Sequence, residues 1–116
     1  MTTLYGINNC DTVKKSKKWL ENNQVNFTFF DFKKQTLTPE LLHHFFELAS
    51  WEQLINKRST TYRNLNDDIK NNLSGEIAFS AVITSPTLLK RPLLIHNNCL
   101  YLGFNESQYQ EIFVHE

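Results

Sequence analysis

Two cysteines and three arginines carry most of the chemistry available to this sequence. Cys10 stands in Asn9-Cys10-Asp11-Thr12, a run of residues that end strands and open helices. A thiol at such a place is a nucleophile only as its thiolate. The first turn of a helix offers unpaired N–H groups and about half a positive charge, and both favour the thiolate. The N–H groups of Asp11, Thr12 and Val13, with the Thr12 hydroxyl, are the expected donors to the sulfur. Asp11 and Thr12 are therefore candidate substrate-binding residues beside a catalytic Cys10. An isolated cysteine commonly packs as a small hydrophobe, but this polar setting argues against that role.

Val13 occupies the third position after Cys10, so there is no Cys-x-x-Cys pair. Release of a bound sulfur must then come from an external thiol or from Cys99. Cys99 opens a predicted strand and is expected to be structural. Glutathione is the external thiol expected in a reducing cytosol, as a co-substrate rather than a bound cofactor.

A thiolate enzyme acting on an anionic partner needs fixed positive donors, and arginine grips oxyanions and carboxylates with a planar fork. The arginines are Arg58, Arg63 and Arg91. The last precedes Pro92 at the entrance of a predicted strand, where a missing N–H is tolerated. By analogy with thioredoxin-like sites, Pro92 is expected to be cis and to face the sulfur, with Arg91 carried beside it. Spacing alone does not place Arg58. His43-His44 point ~100° apart on a helix, and His96, His115 and Cys10 lack zinc-type spacing, so no metal is expected. The lysines at 14–18 read as a solvated helix face.

The elements that must position these residues follow from periodicity. Residues 3–7 predict a strand, 13–23 a helix with Val13, Ser16, Trp19 and Leu20 on one face, and 27–32 a second strand. That is a βαβ unit with parallel strands. Residues 33–37 read as a linker. Thr38-Pro39-Glu40 starts a helix running to about 48. Further helices are predicted at 51–55, from Asn66 onward, and at 75–83, so about 38–84 is a helical insert. Residues 91–96 and 99–102 predict a hairpin through Asn97-Asn98, and Asn105 caps a final helix with Tyr109, Ile112 and Phe113 on its apolar face. The fold class is α/β: a thioredoxin-like four-stranded mixed sheet with a helical insert, one domain over 1–116. The first helix starts where open α/β sheets place ligands.

Composition agrees with one packed domain: 116 residues, 41% hydrophobic and 21% charged. Twelve Lys and Arg balance twelve Asp and Glu, so neither nucleic acid nor membrane is an expected partner. The N-terminus lacks a secretory pattern, no run reaches the ~20 apolar residues of a membrane span, and the C-terminal Val114-His115-Glu116 carries no lipidation signal. The expectation is a cytoplasmic monomer.

Leu4-Tyr5-Gly6-Ile7-x-x-Cys10-Asp11-Thr12, Arg58-Ser59-Thr60-Thr61, Lys90-Arg91-Pro92-Leu93 and Leu102-Gly103-Phe104 together resemble the glutaredoxin-like arsenate reductase (ArsC) family. The YffB branch fits best, with the Spx regulators as relatives. The resemblance covers essentially the whole chain. It implies that Cys10 is the attacking cysteine, that Arg91 before Pro92 is the family's arginine there, and that Arg58 falls near a further one in the insert. The family's last arginine, after the final strand, has no counterpart in Leu102-Gly103-Phe104-Asn105, so one oxyanion clamp for arsenate is missing. The Spx branch is transcriptional, binds RNA polymerase and uses a Cys-x-x-Cys switch that Val13 interrupts. The YffB branch implies a glutathione-dependent thiol reductase acting on a small or protein thiol or disulfide. The alternative is an Spx-like regulatory or protein-binding module without turnover.

Overall fold

The computed structural model describes residues 1–114; His115 and Glu116 lie outside the described residues. The chain begins with β1 (Thr2–Gly6), α1 (Asp11–Asn22) and β2 (Thr28–Asp31). β1 and β2 pair in parallel, Leu4 opposite Phe29 and Gly6 opposite Asp31. A parallel pair needs a crossover, and α1 supplies it. Its face of Val13, Ser16, Trp19 and Leu20 is buried, as the spacing predicts. Near the end of the chain come β3 (Leu93–His96), β4 (Cys99–Leu102) and α7 (Glu106–Phe113). The sheet order is β2-β1-β3-β4, with β1/β3 and β3/β4 antiparallel. The four-stranded mixed sheet is thus the expected one. Asn97 and Asn98 both take positive φ, 51° and 63°, the twist a two-residue hairpin requires and asparagine tolerates.

Strand β3 starts two residues later than the sequence predicts. Pro92 has no N–H to give the ladder, so pairing begins at Leu93, opposite Tyr5. The Asn105 side chain accepts from Gln108 N at 3.0 Å and caps α7. α7 sends Tyr109 into a core shared with Leu4, Trp19, Leu20 and Leu94.

The chain folds as two compact units. One is Met1–Gln35 together with the chain from Arg91 onward; the other is Thr36–Lys90. The second unit is helical: α2 (Pro39–Leu48), α3 (Trp51–Leu54), α4 (Thr60–Arg63), α5 (Asp67–Asn71), α6 (Gly75–Thr84) and a 3-10 turn at Pro86–Leu88. Its helices start where side chains cap them: Thr38, Ser50, Ser59, Asn66 and Ser74 each accept from a first-turn N–H. Leu42, Phe45, Leu54, Val82, Leu88 and Leu89 are fully buried and form its interior. α4 and the 3-10 turn are not foreseen from the sequence. Among the described residues, no helix is long and apolar enough to cross a membrane.

Candidate active site

Cys10 is the N-cap of α1. Its backbone is extended (φ −98°, ψ 125°), its carbonyl accepts from Lys14 N at 3.0 Å, and its own N–H reaches Ile7 O at 3.3 Å. Its side chain makes no capping hydrogen bond, so the cap residue leaves the first-turn donors unclaimed. The thiol is half-buried and free. Asp11 and Thr12 are the first two residues of the helix, the former exposed and the latter half-buried. The thiol therefore sits at the start of α1 with partial access to solvent.

What brings the helix start so close to β1 is Gly6. A Cβ built on Gly6 falls 2.7 Å from Val13 Cγ2 and 3.3 Å from Cγ1. Val13 is fully buried and branched at Cβ, so it cannot swing clear. Gly6→Ala is expected to destabilise the protein by about 1–3 kcal/mol and to push the first turn of α1 away from the sheet. Urea unfolding measures the cost. Adding Val13→Ala to Gly6→Ala is expected to recover part of it, and no recovery would mean the close approach is not the cause.

The loop before Cys10 is pinned as well. Lys17 Nζ donates to Asn8 Oδ1 at 3.1 Å and lies 4.3 Å from the centre of the Phe29 ring. Neither Asn8 nor Lys17 figures among the sequence candidates. The Lys17–Asn8 spacing of nine residues spans a loop–helix boundary and leaves no periodic signal.

Arg91 and Pro92 belong to the same unit as Cys10. The bond between them is cis, as the thioredoxin analogy predicts. The register sets Leu93 opposite Tyr5, so Pro92 comes next to Gly6, at the end of β1 from which the chain runs on to Cys10. Pro92 is buried and Arg91 half-buried. Pro92 O accepts from Gly103 N at 2.9 Å, which ties the start of β3 to the end of β4. Arg58 lies in the other unit and is exposed. Its N–H donates to Asn56 Oδ1 at 3.0 Å, and its carbonyl accepts from Arg63 Nη2 at 2.8 Å. Among the described residues, neither the Arg91 nor the Arg58 guanidinium forms an ion pair.

Cys99 does open a strand, but it is exposed on the edge strand β4. Burial, and secondarily Cys99 two residues away, push the Tyr101 phenol above its usual range. Asp31, at the end of β2, is buried. Its Oδ1 accepts from Lys33 N at 2.9 Å, and its carbonyl from Lys34 N and Gln35 N. The carboxylate thereby shapes the turn that leaves the sheet.

A model of the ArsC family matches residues 5–112. A Haemophilus influenzae protein described as uncharacterised is 42% identical over 113 residues, 97% of this chain and 99% of its own. The global transcriptional regulator Spx of Lactiplantibacillus plantarum is 30% identical over 110 residues, 93% of this chain and 83% of its own. Among solved structures, a YffB protein superposes with a TM-score of 0.89 at 31% identity, covering 94% of this chain and 96% of that one. An arsenate reductase-related protein from Brucella melitensis gives 0.79 at 40% identity, covering 97% and 94%. A glutaredoxin from Archaeoglobus fulgidus reaches 0.52 at 14% identity over 97% and 85%, a likeness of fold alone.

Proposed function

Since the chain belongs to the ArsC family, we propose that it is a cytoplasmic, glutathione-dependent thiol reductase whose single nucleophile is Cys10. The observation that carries this reading is the half-buried Cys10 thiol at the N-cap of a 12-residue helix, with no side-chain cap to occupy the first-turn donors. The N–H groups of a first helical turn are donors that a bound sulfur can accept from.

The chemistry is thiol–disulfide exchange. The Cys10 thiolate attacks one sulfur of a substrate disulfide. The S–S bond breaks, the departing thiolate takes a proton from water, and Cys10 holds the other half as a mixed disulfide. A glutathione thiolate then attacks the substrate-derived sulfur and returns Cys10 as thiolate. A second glutathione completes the two-electron reduction and leaves as glutathione disulfide. Val13 at the third position supports an external resolving thiol. Asp11 and Thr12 contribute backbone donors to the bound sulfur, and Pro92 shapes the opposite wall. Arg91 binds a carboxylate of glutathione or of an anionic substrate.

Treatment with glutathione disulfide, followed by mass spectrometry, tests the reading. One adduct of glutathione is expected at Cys10. Arg91→Ala is expected to lower kcat/KM for the coupled reduction about 10- to 100-fold, the worth of one charge-assisted hydrogen bond. Arg91→Lys is expected to restore only part, because an ammonium lacks the fork. An adduct confined to Cys99 would remove Cys10 from the mechanism.

A regulatory, protein-binding role without turnover is the second reading, favoured by the Spx relative at 30% identity. A stable protein partner that survives Cys10→Ser, with no disulfide reduction by the wild type, would select it.

A further inference from the structure

The chain is neutral overall, twelve cations against twelve anions, yet six of its lysines fall in two short runs, 14–18 and 33–34. In the sequence the first run reads as a solvated helix face and the second as part of a linker. The sheet brings both to one end. Phe32 N donates to Gly6 O at 2.9 Å, so the chain leaves β2 beside the end of β1. Lys33 N bonds Asp31 Oδ1, and Lys34 N bonds Asp31 O, which holds the exposed Lys33 and Lys34 in the turn at that end. Cys10 follows the same end of β1. Lys14 N donates to Cys10 O, so Lys14 stands one turn above the thiol, with Lys15 next to it; both are exposed. The Lys17 ammonium is fixed on Asn8 and Phe29, at the loop that leads to Cys10. Arg91 lies two residues before β3.

The acids at this end are fewer. They are Asp11, exposed at the helix start; Asp31, buried and already accepting from Lys33 N; and Glu106, exposed in the first turn of α7. Among the described residues none of these six cations is ion-paired; the ion pairs are His44–Glu47 and Lys70–Asp67, both in the helical unit.

A second observation comes from α1 itself. Cations near a helix N-terminus oppose the dipole. Lys14 is also four residues from Lys18 and three from Lys17, and Lys15 is three from Lys18, spacings at which like charges weaken a helix. The cap residue makes no side-chain hydrogen bond either. Local rules broken together at one place point to function.

We propose that Lys14, Lys15, Lys17, Lys33 and Lys34 form an electropositive collar beside Cys10 that selects disulfides carrying carboxylates close to the sulfur–sulfur bond. The inference rests on Cys10 being the nucleophile. The lysines act at a distance, by raising the local concentration of an anionic partner, so the effect is screened by salt.

Alkylation of the native protein separates the two claims. Iodoacetate is anionic and iodoacetamide neutral; with either, the thiolate forms an S–C bond and iodide leaves. Mass spectrometry reads both rates at Cys10, with the exposed Cys99 as internal reference. The iodoacetate-to-iodoacetamide ratio is expected to be about tenfold higher at Cys10 than at Cys99 in 0.01 M salt, where the Debye length is about 30 Å. In 1 M salt, at about 3 Å, the two ratios are expected to converge. Lys14→Glu with Lys33→Glu is expected to bring the Cys10 ratio down to that of Cys99, while Lys14→Glu alone raises the thermal midpoint. The paired Lys→Arg substitutions are expected to keep the ratio. Equal ratios at both thiols, or a ratio unchanged by charge reversal, would overturn the collar and leave the nucleophile standing. A Cys10 inert to both reagents would overturn both.

Discussion

Cys10→Ser is expected to lower glutathione-coupled disulfide reduction by at least about 10³-fold while making the protein more stable. The two effects come from one position. Without sulfur no mixed disulfide can form, and a serine hydroxyl is not ionised by a helix terminus at neutral pH. Yet Cys10 is the N-cap of α1 and caps nothing with its side chain. Serine is among the preferred N-cap residues, its oxygen accepting from the N–H two or three residues on. The other helices use that device: Ser50, Ser59 and Ser74 each cap one. The substitution is therefore expected to add about 0.5–1 kcal/mol, read as a higher urea midpoint with an unchanged slope. Cys99→Ser serves as the control and is expected to keep activity. Full activity in Cys10→Ser would move the nucleophile elsewhere. Lost activity with lost stability would instead mean the thiol holds the site together.

The parts of the fold legible in the sequence are those set by local chemistry. Thr38, Asn66 and Asn105 read as caps because their side chains bond N–H groups two or three residues away. Asn97-Asn98 reads as a hairpin because few residues accept the left-handed backbone twice. α4 escapes because Thr60–Arg63 is one turn with no buried residue, so it has no apolar stripe to detect. The edge of β3 is misread because periodicity runs through Arg91-Pro92 while the hydrogen-bond ladder stops at Leu93.

The candidate site divides the same way. Cys10 is legible because strand, turn residues and helix follow one another directly along the chain. The convergence of Lys33 and Lys34 on that end is not, because it depends on β1 and β2 pairing in parallel. Arg91 is reached only by analogy, since its nearness to β1 comes from register between strands at opposite ends of the chain. Ser16 illustrates the limit. Its helical spacing marks it as inward-facing, but its partner, Tyr109, is 93 residues away.

That pair carries the second large effect. Tyr109 is fully buried. Its ring meets Trp19 edge-on at 5.5 Å and Phe104 at 4.9 Å, and its hydroxyl shares a 2.6 Å hydrogen bond with the buried Ser16. Tyr109→Ala is expected to cost about 3–5 kcal/mol, as for other large aromatics in cores, a large part of the roughly 5–15 kcal/mol that holds a domain together. Tyr109→Phe keeps the ring and strands the Ser16 hydroxyl, at about 1–3 kcal/mol. Adding Ser16→Ala is expected to recover much of that, because both polar groups then leave together. Alkali gives an independent reading. Burial pushes the Tyr109 phenol from 10.0 up to about 12, against the smaller downward pull of Ser16. A phenol raised in the folded state stabilises it fully below about pH 10, and that contribution is lost as pH rises through about 12. Tyr5 and Tyr101 are raised by burial as well, so the wild type is expected to lose stability across about pH 10–12, and Tyr109→Phe to lose less. Parallel alkaline limbs in wild type and Tyr109→Phe would show that this hydroxyl is reached by solvent and is not part of the core.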